Sequence, residues 1–183
     1  MKIKIYKPRV SRGWIYNGII NLTLLLIIIH VIFNIILKEK EIIKGIIIFI
    51  FPIFLLIGFI VISSIFLVWY PTMRYELSED KLVLKCGPLE SEIPLESIKA
   101  IREKNLKYHP SSTGWKLPGY CLFRIKYADE DWVRMYSRAM LKNIIIIETD
   151  KEKYGITPKD EEDFLGELSK RTGVIPEIEV NRK

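Results

Sequence analysis

Two uninterrupted apolar runs near the start of the chain constrain its fold more than any other feature. The runs cover residues 14–37 and 45–70, and neither contains Asp, Glu, Lys or Arg. A helix needs about 20 apolar residues to cross the hydrocarbon core of a bilayer, so each run is long enough to span it. Only residues 38–44 separate the runs, and so short a connection forces the two helices to run antiparallel. The sequence therefore predicts a transmembrane helical hairpin.

The residues that flank the runs predict the orientation of this helical hairpin. Residues 1–13 are rich in Lys and Arg and contain no acid, whereas the 38–44 connection mixes Lys with Glu. Lys and Arg near helix ends are retained on the cytoplasmic side. Aromatic residues of the kind that favours the membrane interface stand at the outer ends of both runs: Trp14, Tyr16, Trp69 and Tyr70. We therefore expect a multi-pass protein of the cell membrane with both termini in the cytoplasm.

The first run is expected to be retained in the mature protein. It is longer than the apolar part of a signal peptide, and it ends in Leu-Lys-Glu instead of a small-residue cleavage site. The lipid bilayer is thus the first predicted partner.

The basic excess of the chain belongs to the predicted membrane anchor. The formal net charge is +6, but residues 71–183 contain equal numbers of bases and acids. A nucleic-acid-binding domain would carry a basic stripe of its own, so we predict no nucleic-acid partner. The two cysteines, Cys86 and Cys121, lie in apolar stretches without a CxxC spacing. We interpret them as small buried side chains in a reducing compartment.

Three polar residues interrupt the first run at a helical spacing. Thr23, His30 and Asn34 fall on one stripe of a helix. In a folded hairpin this stripe approaches Pro52, whose ring leaves the carbonyl of Ile48 without its helical donor. We predict that these residues form interhelical polar contacts, with His30 or Asn34 donating to that carbonyl. A proton relay would usually also need an Asp or Glu, and the run contains neither.

Residues 71–173 show the patterns of β-strands followed by one helix. Polar and apolar side chains alternate or cluster in short segments between turn residues: 73–77, 81–85, 90–93, 97–102, 120–127, 132–136 and 153–156. The four isoleucines at 144–147 are typical of a strand buried on both faces. Thr157 and Pro158 suit an N-cap and a first helical position before an acidic turn and an apolar stripe. Residues 174–183 are interpreted as a loose C-terminal tail.

The succession of these segments resembles a known family. The segments that carry the resemblance are YELSEDKLVL at 75–84, GP at 87–88, IPLESI at 93–98, LPGY at 117–120, VRMY at 133–136, Asn143 with the isoleucines, and TP at 157–158. Together they are similar to the bacterial and archaeal membrane-attached PH-like (pleckstrin-homology-like) domain family, over residues 71–172. The resemblance implies a mainly β domain of about seven strands in two sheets with one C-terminal helix. It also implies a scaffold for binding, without catalytic residues to carry over.

The residues themselves form no catalytic pattern. His109 is the one histidine after residue 70, and it lies in the loop 105–119, rich in Pro, Ser and Gly, without a carboxylate at a suitable spacing. The sequence contains no glycine-rich phosphate loop and no metal-ligand spacing. We therefore predict a non-enzymatic protein without a cofactor, a metal or a catalytic residue.

A strand pair between residues 120 and 138 presents the one surface that we single out. If residues 129–131 connect the strands, Lys126 opposes Arg134 and Arg124 opposes Tyr136. The side chains predicted to point outward are Arg124, Lys126, Trp132, Arg134, Tyr136 and Arg138. Like charges opposite each other cost stability unless an acid or a phosphate lies near them. Two interpretations stay open: an exposed sheet neutralised by acids from elsewhere, or a surface for an anion or a protein partner.

Two functions fit this sequence. The first is a non-enzymatic, membrane-anchored PH-like interaction module that holds a protein- or headgroup-binding domain at the cytoplasmic membrane face. Tethering would raise the effective concentration of the domain near membrane partners. The alternative is an accessory or regulatory subunit of a membrane transporter or membrane enzyme, with the helical hairpin as the working contact.

Overall fold

The computed structural model of the protein describes residues 3–37, 42–111, 115–117 and 119–179. The elements are β1 (Lys4–Tyr6), α1 (Gly13–Leu37), α2 (Ile42–Trp69), β2 (Arg74–Leu77), β3 (Lys81–Cys86), β4 (Leu89–Pro94), β5 (Ile98–Lys104), β6 (Trp115–Leu117), β7 (Tyr120–Tyr127), β8 (Asp131–Ser137), β9 (Ile144–Thr149), β10 (Lys153–Ile156), α3 (Glu161–Thr172) and β11 (Glu177–Ile178). Residues 38–41 of the predicted helix connection, and 112–114 and 118 of the predicted 105–119 loop, lie outside the described residues.

Helices α1 and α2 pack against each other and leave most of their apolar surface exposed. The spans Gly13–Asn34 and Pro52–Thr72 are long and apolar enough to cross a membrane, by length and composition. Only 17% and 11% of their most apolar windows is buried inside the protein. The core helix of a soluble domain would be mostly buried, whereas these two helices are mostly exposed. Phe54, for example, is 72% exposed.

The polar contact between the helices is made by residues that sequence reasoning missed. Ser63 of α2 donates through Oγ to Asn21 Oδ1 of α1 at 2.6 Å, and both residues are buried. Asn17, one turn earlier on the same stripe of α1, is also buried. Phe66, three residues after Ser63 on α2, is buried as well.

The predicted polar stripe lies on the other side of α1. Thr23 Oγ1 donates to the Ile19 carbonyl at 2.9 Å, and Asn34 Nδ2 donates to the His30 carbonyl at 2.8 Å. These polar residues are exposed, as is Pro52 within α2. The prediction that they face the other helix is corrected, since a shift of two residues turns a side chain by about 200° around a helix. The Asn17–Asn21 stripe faces α2, and the Thr23 stripe faces away from it.

Both ends of the helical hairpin connect to one sheet. Strand β1 precedes α1, β2 follows α2, and the two strands pair antiparallel with Tyr6 opposite Tyr75. The ring of Tyr6 also packs edge-on against Phe164 of α3 at 5.0 Å between centroids. The basic segment 1–13 therefore contributes a strand to the β domain. A strand of three residues is too short to show an alternation in the sequence.

Ion pairs fasten the segment before α1 to helix α3. Lys4 pairs with Asp163 at 2.7 Å, and Arg9 pairs with Glu161. Both acids lie in the first turn of α3, where negative charge also favours the helix dipole.

The β domain consists of two sheets. The first has the order β1-β2-β3-β4, and the second has the order β11-β5-β9-β10-β8-β7-β6, in which β10 and β8 are parallel. The four isoleucines of β9 are fully buried, as predicted, because the second sheet is covered on both faces. Ile145 and Ile147 join the core with α3, whereas Ile144 and Ile146 belong to an apolar cluster on the opposite face. The predicted fold is confirmed: two apolar helices, then a β-rich domain in two sheets with a C-terminal helix.

The ends of α3 differ from the prediction. The helix begins at Glu161, and Thr157 is not its N-cap. Instead Thr157 is buried, and its Oγ1 accepts the backbone N–H of Arg138 at 3.1 Å. After the helix ends at Thr172, β11 pairs with β5, so residues 177–178 are not loose. Pairing with a strand far away in sequence determines the position of this segment, and local composition does not reveal it.

Candidate functional site

The β7–β8 hairpin, which carries the predicted surface, has a different register from the predicted one. Arg124 opposes Arg134, and Lys126 opposes Trp132. The connection consists of residues 128–130, one residue earlier than predicted. Remote contacts determine this position, because Asp129 accepts the backbone N–H of Lys107 at 3.0 Å.

A single carboxylate neutralises the two opposed arginines. Glu152 accepts from Arg134 at 2.6 Å (Nε to Oε2) and 2.9 Å (Nη2 to Oε1). It also accepts from Arg124 Nη2 at 3.2 Å. We call these three residues the Glu152 bridge. The hydrogen bonds that Arg134 donates to Glu152 raise the pKa of Arg134. An acid thus lies where the sequence left a choice between an acid and a phosphate.

The aromatic members of the predicted surface are divided between solvent and core. Trp132 is 42% exposed and lines a shallow depression beside the Glu152 bridge. Tyr136 is buried, and its hydroxyl is 2.9 Å from Ser91 Oγ. The prediction that Tyr136 points outward is corrected, because the first sheet and α3 cover this end of β8. Phe123, on β7, has a positive φ of 71° and is 43% exposed.

Three cations surround a buried acid in the turn of the β7–β8 hairpin. Glu130 is contacted by Arg102 at 3.1 Å, Lys104 at 2.9 Å and Lys153 at 2.8 Å. We call these four residues the Glu130 cluster. Burial alone would raise the pKa of the Glu130 carboxyl, but hydrogen bonds from Lys153 and Lys104 outweigh it and hold this pKa below its usual value. Sequence reasoning missed this cluster because its members come from three separate segments: β5, the β7–β8 turn and β10.

Arg138 lies apart from the other predicted site residues. Its Nη2 donates to the carbonyl of Tyr70 at 2.6 Å, and the guanidinium carbon lies 3.9 Å from the Tyr70 ring centroid. Four residues separate Arg138 from Arg134, which is about 13 Å along an extended strand. Arg138 therefore belongs to the place where the helical hairpin joins the β domain. Arg124, Lys126, Trp132 and Arg134 stay together on the β7–β8 hairpin.

Aromatic rings form that junction. Trp69 packs so closely on Gly87 that a Cβ there would lie 2.5 Å from the indole ring, and Gly87 has a positive φ of 56°. The ring of Phe66 contacts Tyr120 at 5.6 Å between centroids. The Tyr120 hydroxyl lies 2.6 Å from Cys86 Sγ, and burial raises the pKa of that thiol. The helical hairpin is thus packed onto the domain, with Cys86 as a buried, protonated side chain.

The described residues contain no arrangement typical of a metal or catalytic centre. No group of three or more His, Cys, Asp or Glu that could hold a metal ion occurs among them. His109 Nδ1 lies 2.9 Å from Ser111 Oγ, two residues along the same exposed loop.

Comparison with known proteins supports the family that the sequence indicated. A family model described as "Bacterial PH domain" matches residues 73–172, which is more than half of the chain. Searches of curated proteins and of solved structures found no match. The matched segment begins in front of β2 and ends with α3, so it covers both sheets except β1 and β11.

Proposed function

The chain belongs to the bacterial PH domain family, and from that premise we propose a non-enzymatic interaction module that α1 and α2 anchor in the cell membrane. A PH-like domain is a scaffold for binding, and the family supports this role better than a catalytic one. The observation that carries the proposal is the insertion of an exposed apolar helix pair between two paired strands of the domain.

The exposed surface of the helix pair supports membrane insertion. Large apolar side chains point outward along both helices, from Trp14 to Phe33 and from Phe54 to Val68. In water, so large an exposed apolar surface would be unfavourable, whereas lipid tails solvate it. Trp14 lies at the outer end of α1 and Trp69 at that of α2, where interfacial aromatic residues are expected.

The pairing of β1 with β2 supports a single orientation for both flanks. Because one strand precedes the helical hairpin and the other follows it, the folded domain needs both ends on the same side of the membrane. The basic residues of segment 1–13 favour the cytoplasmic side. Signal cleavage after α1 would remove β1 from the sheet, so the pairing also supports retention of α1.

The β7–β8 face supports a protein partner. Its two arginines already share a carboxylate in the Glu152 bridge, so the face is mixed in charge. Trp132 is exposed beside them, and Arg with an exposed aromatic neighbour is typical of protein–protein surfaces. We propose that this face contacts a protein, and that tethering holds it near membrane partners.

Cysteine accessibility tests the anchor and its orientation. Single cysteines replace Glu39, between the helices, and Lys170, exposed on α3, in a chain with Cys86→Ser and Cys121→Ser. A membrane-impermeant thiol reagent on whole cells should label position 39 and spare position 170 until the cells are lysed. Labelling of position 170 on intact cells would contradict the cytoplasmic orientation. Extraction of the protein from membranes by alkaline carbonate would contradict the anchor itself.

One observation favours the alternative of an accessory membrane subunit. The exposed stripe of Thr23, His30 and Asn34 faces away from α2. Thr23 and Asn34 each donate to a carbonyl of α1, but exposed polar side chains are still costly in lipid unless they face protein or water. A photocrosslinking residue at position 30 should then capture one membrane protein. Ile32, which is exposed and about 200° around the helix, is the matched control position. Equal capture from both positions would remove the support for this alternative.

A further inference from the structure

A cavity of about 560 Å³ lies where the helical hairpin joins the β domain. Its lining includes the cations Lys7, Arg138 and Lys159 and the apolar Val10, Trp14 and Leu67. We call it the foot cavity. It brings together the segment before α1, both helices of the hairpin and the segments that follow β8 and β10, so it marks the level at which the proposed membrane span ends.

The cations of the foot cavity differ from those of the Glu152 bridge and the Glu130 cluster because they lack acidic partners. Among the described residues, no carboxylate lies within ion-pair distance of Lys7, Arg138 or Lys159. Arg138 donates one hydrogen bond to Tyr70, but its Nε is buried and has no partner in the described part of the chain. No acid of the described residues therefore compensates the positive charge of these three side chains, and an anion in the cavity would do so.

Backbone pairing holds the two lysines next to each other. The N–H of Lys159 donates to the carbonyl of Lys7 at 2.9 Å, beside a bridge between Pro8 and Pro158. Two of the acids that follow Lys159 pair with other cations: Glu161 with Arg9 and Asp163 with Lys4. The fold thus places three like charges around one space.

The apolar side of the cavity belongs to the proposed membrane interface. Trp14 is 49% exposed at the start of α1, and Leu67 lies near the end of α2. A ligand that fills this space needs a negative group at one end and an apolar body at the other. Trp at this depth is typical of the headgroup region of a bilayer.

We propose that the foot cavity binds the phosphate of one anionic phospholipid, with Lys7, Lys159 and Arg138 donating to its oxygens. The lipid's apolar part then lies along Trp14 and Leu67. Phosphate is well matched to a guanidinium with free N–H groups flanked by ammonium groups. This inference rests on the proposed membrane anchoring, which would place the cavity within reach of lipid. It assigns a single saturable site, in contrast to the general attraction of basic residues to an anionic membrane.

Native mass spectrometry of the full chain in a non-ionic detergent tests the site. The protein is titrated with phosphatidylglycerol, with phosphatidylcholine of the same chain length, and with inorganic phosphate. The test variant is Lys7→Gln with Lys159→Gln, and the control is Lys107→Gln with Lys151→Gln, two exposed lysines on the β domain with the same charge change. Carbonate extraction of each variant from membranes is measured separately.

We expect one phosphatidylglycerol to bind at saturation and to bind the Lys7/Lys159 variant about 10- to 30-fold more weakly, with the control unchanged. Equal binding of phosphatidylcholine, or an equal loss in both variants, would overturn the site while leaving the anchor intact. Competition by inorganic phosphate at the same concentration as the lipid would assign the cavity to a soluble anion and overturn the lipid assignment. Complete extraction of the wild type by carbonate would overturn the anchor, and with it the lipid site.

Discussion

Two basic regions of this protein look alike in the sequence and differ in the folded chain. On the β7–β8 hairpin, Arg124 and Arg134 share the carboxylate of Glu152. At the foot of the helical hairpin, Arg138 and two lysines line a cavity, and the described residues provide them with no ion-pair partner. The charge of a segment therefore says little about its local potential until the acids from other segments are placed.

The difference follows from how each region is built. The turn after β9 brings Glu152 beside β8, which pairs in parallel with β10. At the foot, the acids of α3 are already paired with the segment before α1. We therefore expect loss of an acid to destabilise the β7–β8 region. We expect binding of an added anion to stabilise the foot.

The largest expected effect comes from the Glu130 cluster. Glu130→Gln leaves Arg102, Lys104 and Lys153 close together without their shared acid. Removal of one partner from a buried ion pair costs about 3–5 kcal/mol. Urea unfolding of the full chain in a mild detergent, followed by circular dichroism, measures this loss. Glu96→Gln, at an exposed acid, is the control and should change the free energy of unfolding by less than about 0.5 kcal/mol.

The acid dependence of stability gives a second measurement of the same residue. Because the pKa of Glu130 is lower in the folded protein than its ordinary 4.5, its contribution is complete above about pH 4.5. That contribution is lost as the pH falls through the lower, folded value. The wild type should therefore lose more stability than E130Q in this acidic range. Parallel curves for the two proteins would show that the cluster does not depend on the charge of Glu130.

The next effect tests whether the foot is a rigid junction. Gly87→Ala introduces a Cβ against the Trp69 ring at a position with positive φ, and we expect a loss of about 1–3 kcal/mol. Gly166→Ala is the matched control, since Gly166 is an exposed residue of α3 and nothing lies within 4 Å of its Cβ position. That control should gain up to about 1 kcal/mol from helix propensity. A loss in both variants would show that Trp69 is not the cause.

The parts of this structure that the sequence predicted are those whose own residues show a recognisable local pattern. The isoleucines 144–147 indicate burial on both faces of β9, and the two apolar runs indicate the two helices. The register of the β7–β8 hairpin was missed because Lys107 positions Asp129 from another loop. Strand β1 was missed because its partner β2 lies on the far side of both helices. The candidate surface was predicted as a set of residues, and its acidic partner Glu152 was not.

A smaller effect would make the β7–β8 region resemble the foot. Glu152→Gln removes the acid between Arg124 and Arg134, and we expect a loss of about 1 kcal/mol because the pair is only partly buried. The two arginines would then be free to bind an added anion. Inorganic polyphosphate should raise the Tm of E152Q more than the Tm of the wild type. An identical shift in both would show that Glu152 does not screen the arginines.

The smallest expected effect separates a formed ion pair from mere proximity of charges. Lys126 lies 3.9 Å from Asp131, whose side chain is 71% exposed, while that of Lys126 is 36% exposed. Lys126→Gln should therefore change the free energy of unfolding by less than about 0.5 kcal/mol, since water and salt screen such pairs. Arg134→Gln removes the same formal charge from the facing strand, but it also breaks two hydrogen bonds to Glu152, so its loss should be about 1 kcal/mol. If both substitutions lower the free energy of unfolding equally, the hydrogen bonds to Glu152 contribute no stability beyond that of the formal charge on this face. The β7–β8 face and the foot would then differ only in the positions of their acidic residues.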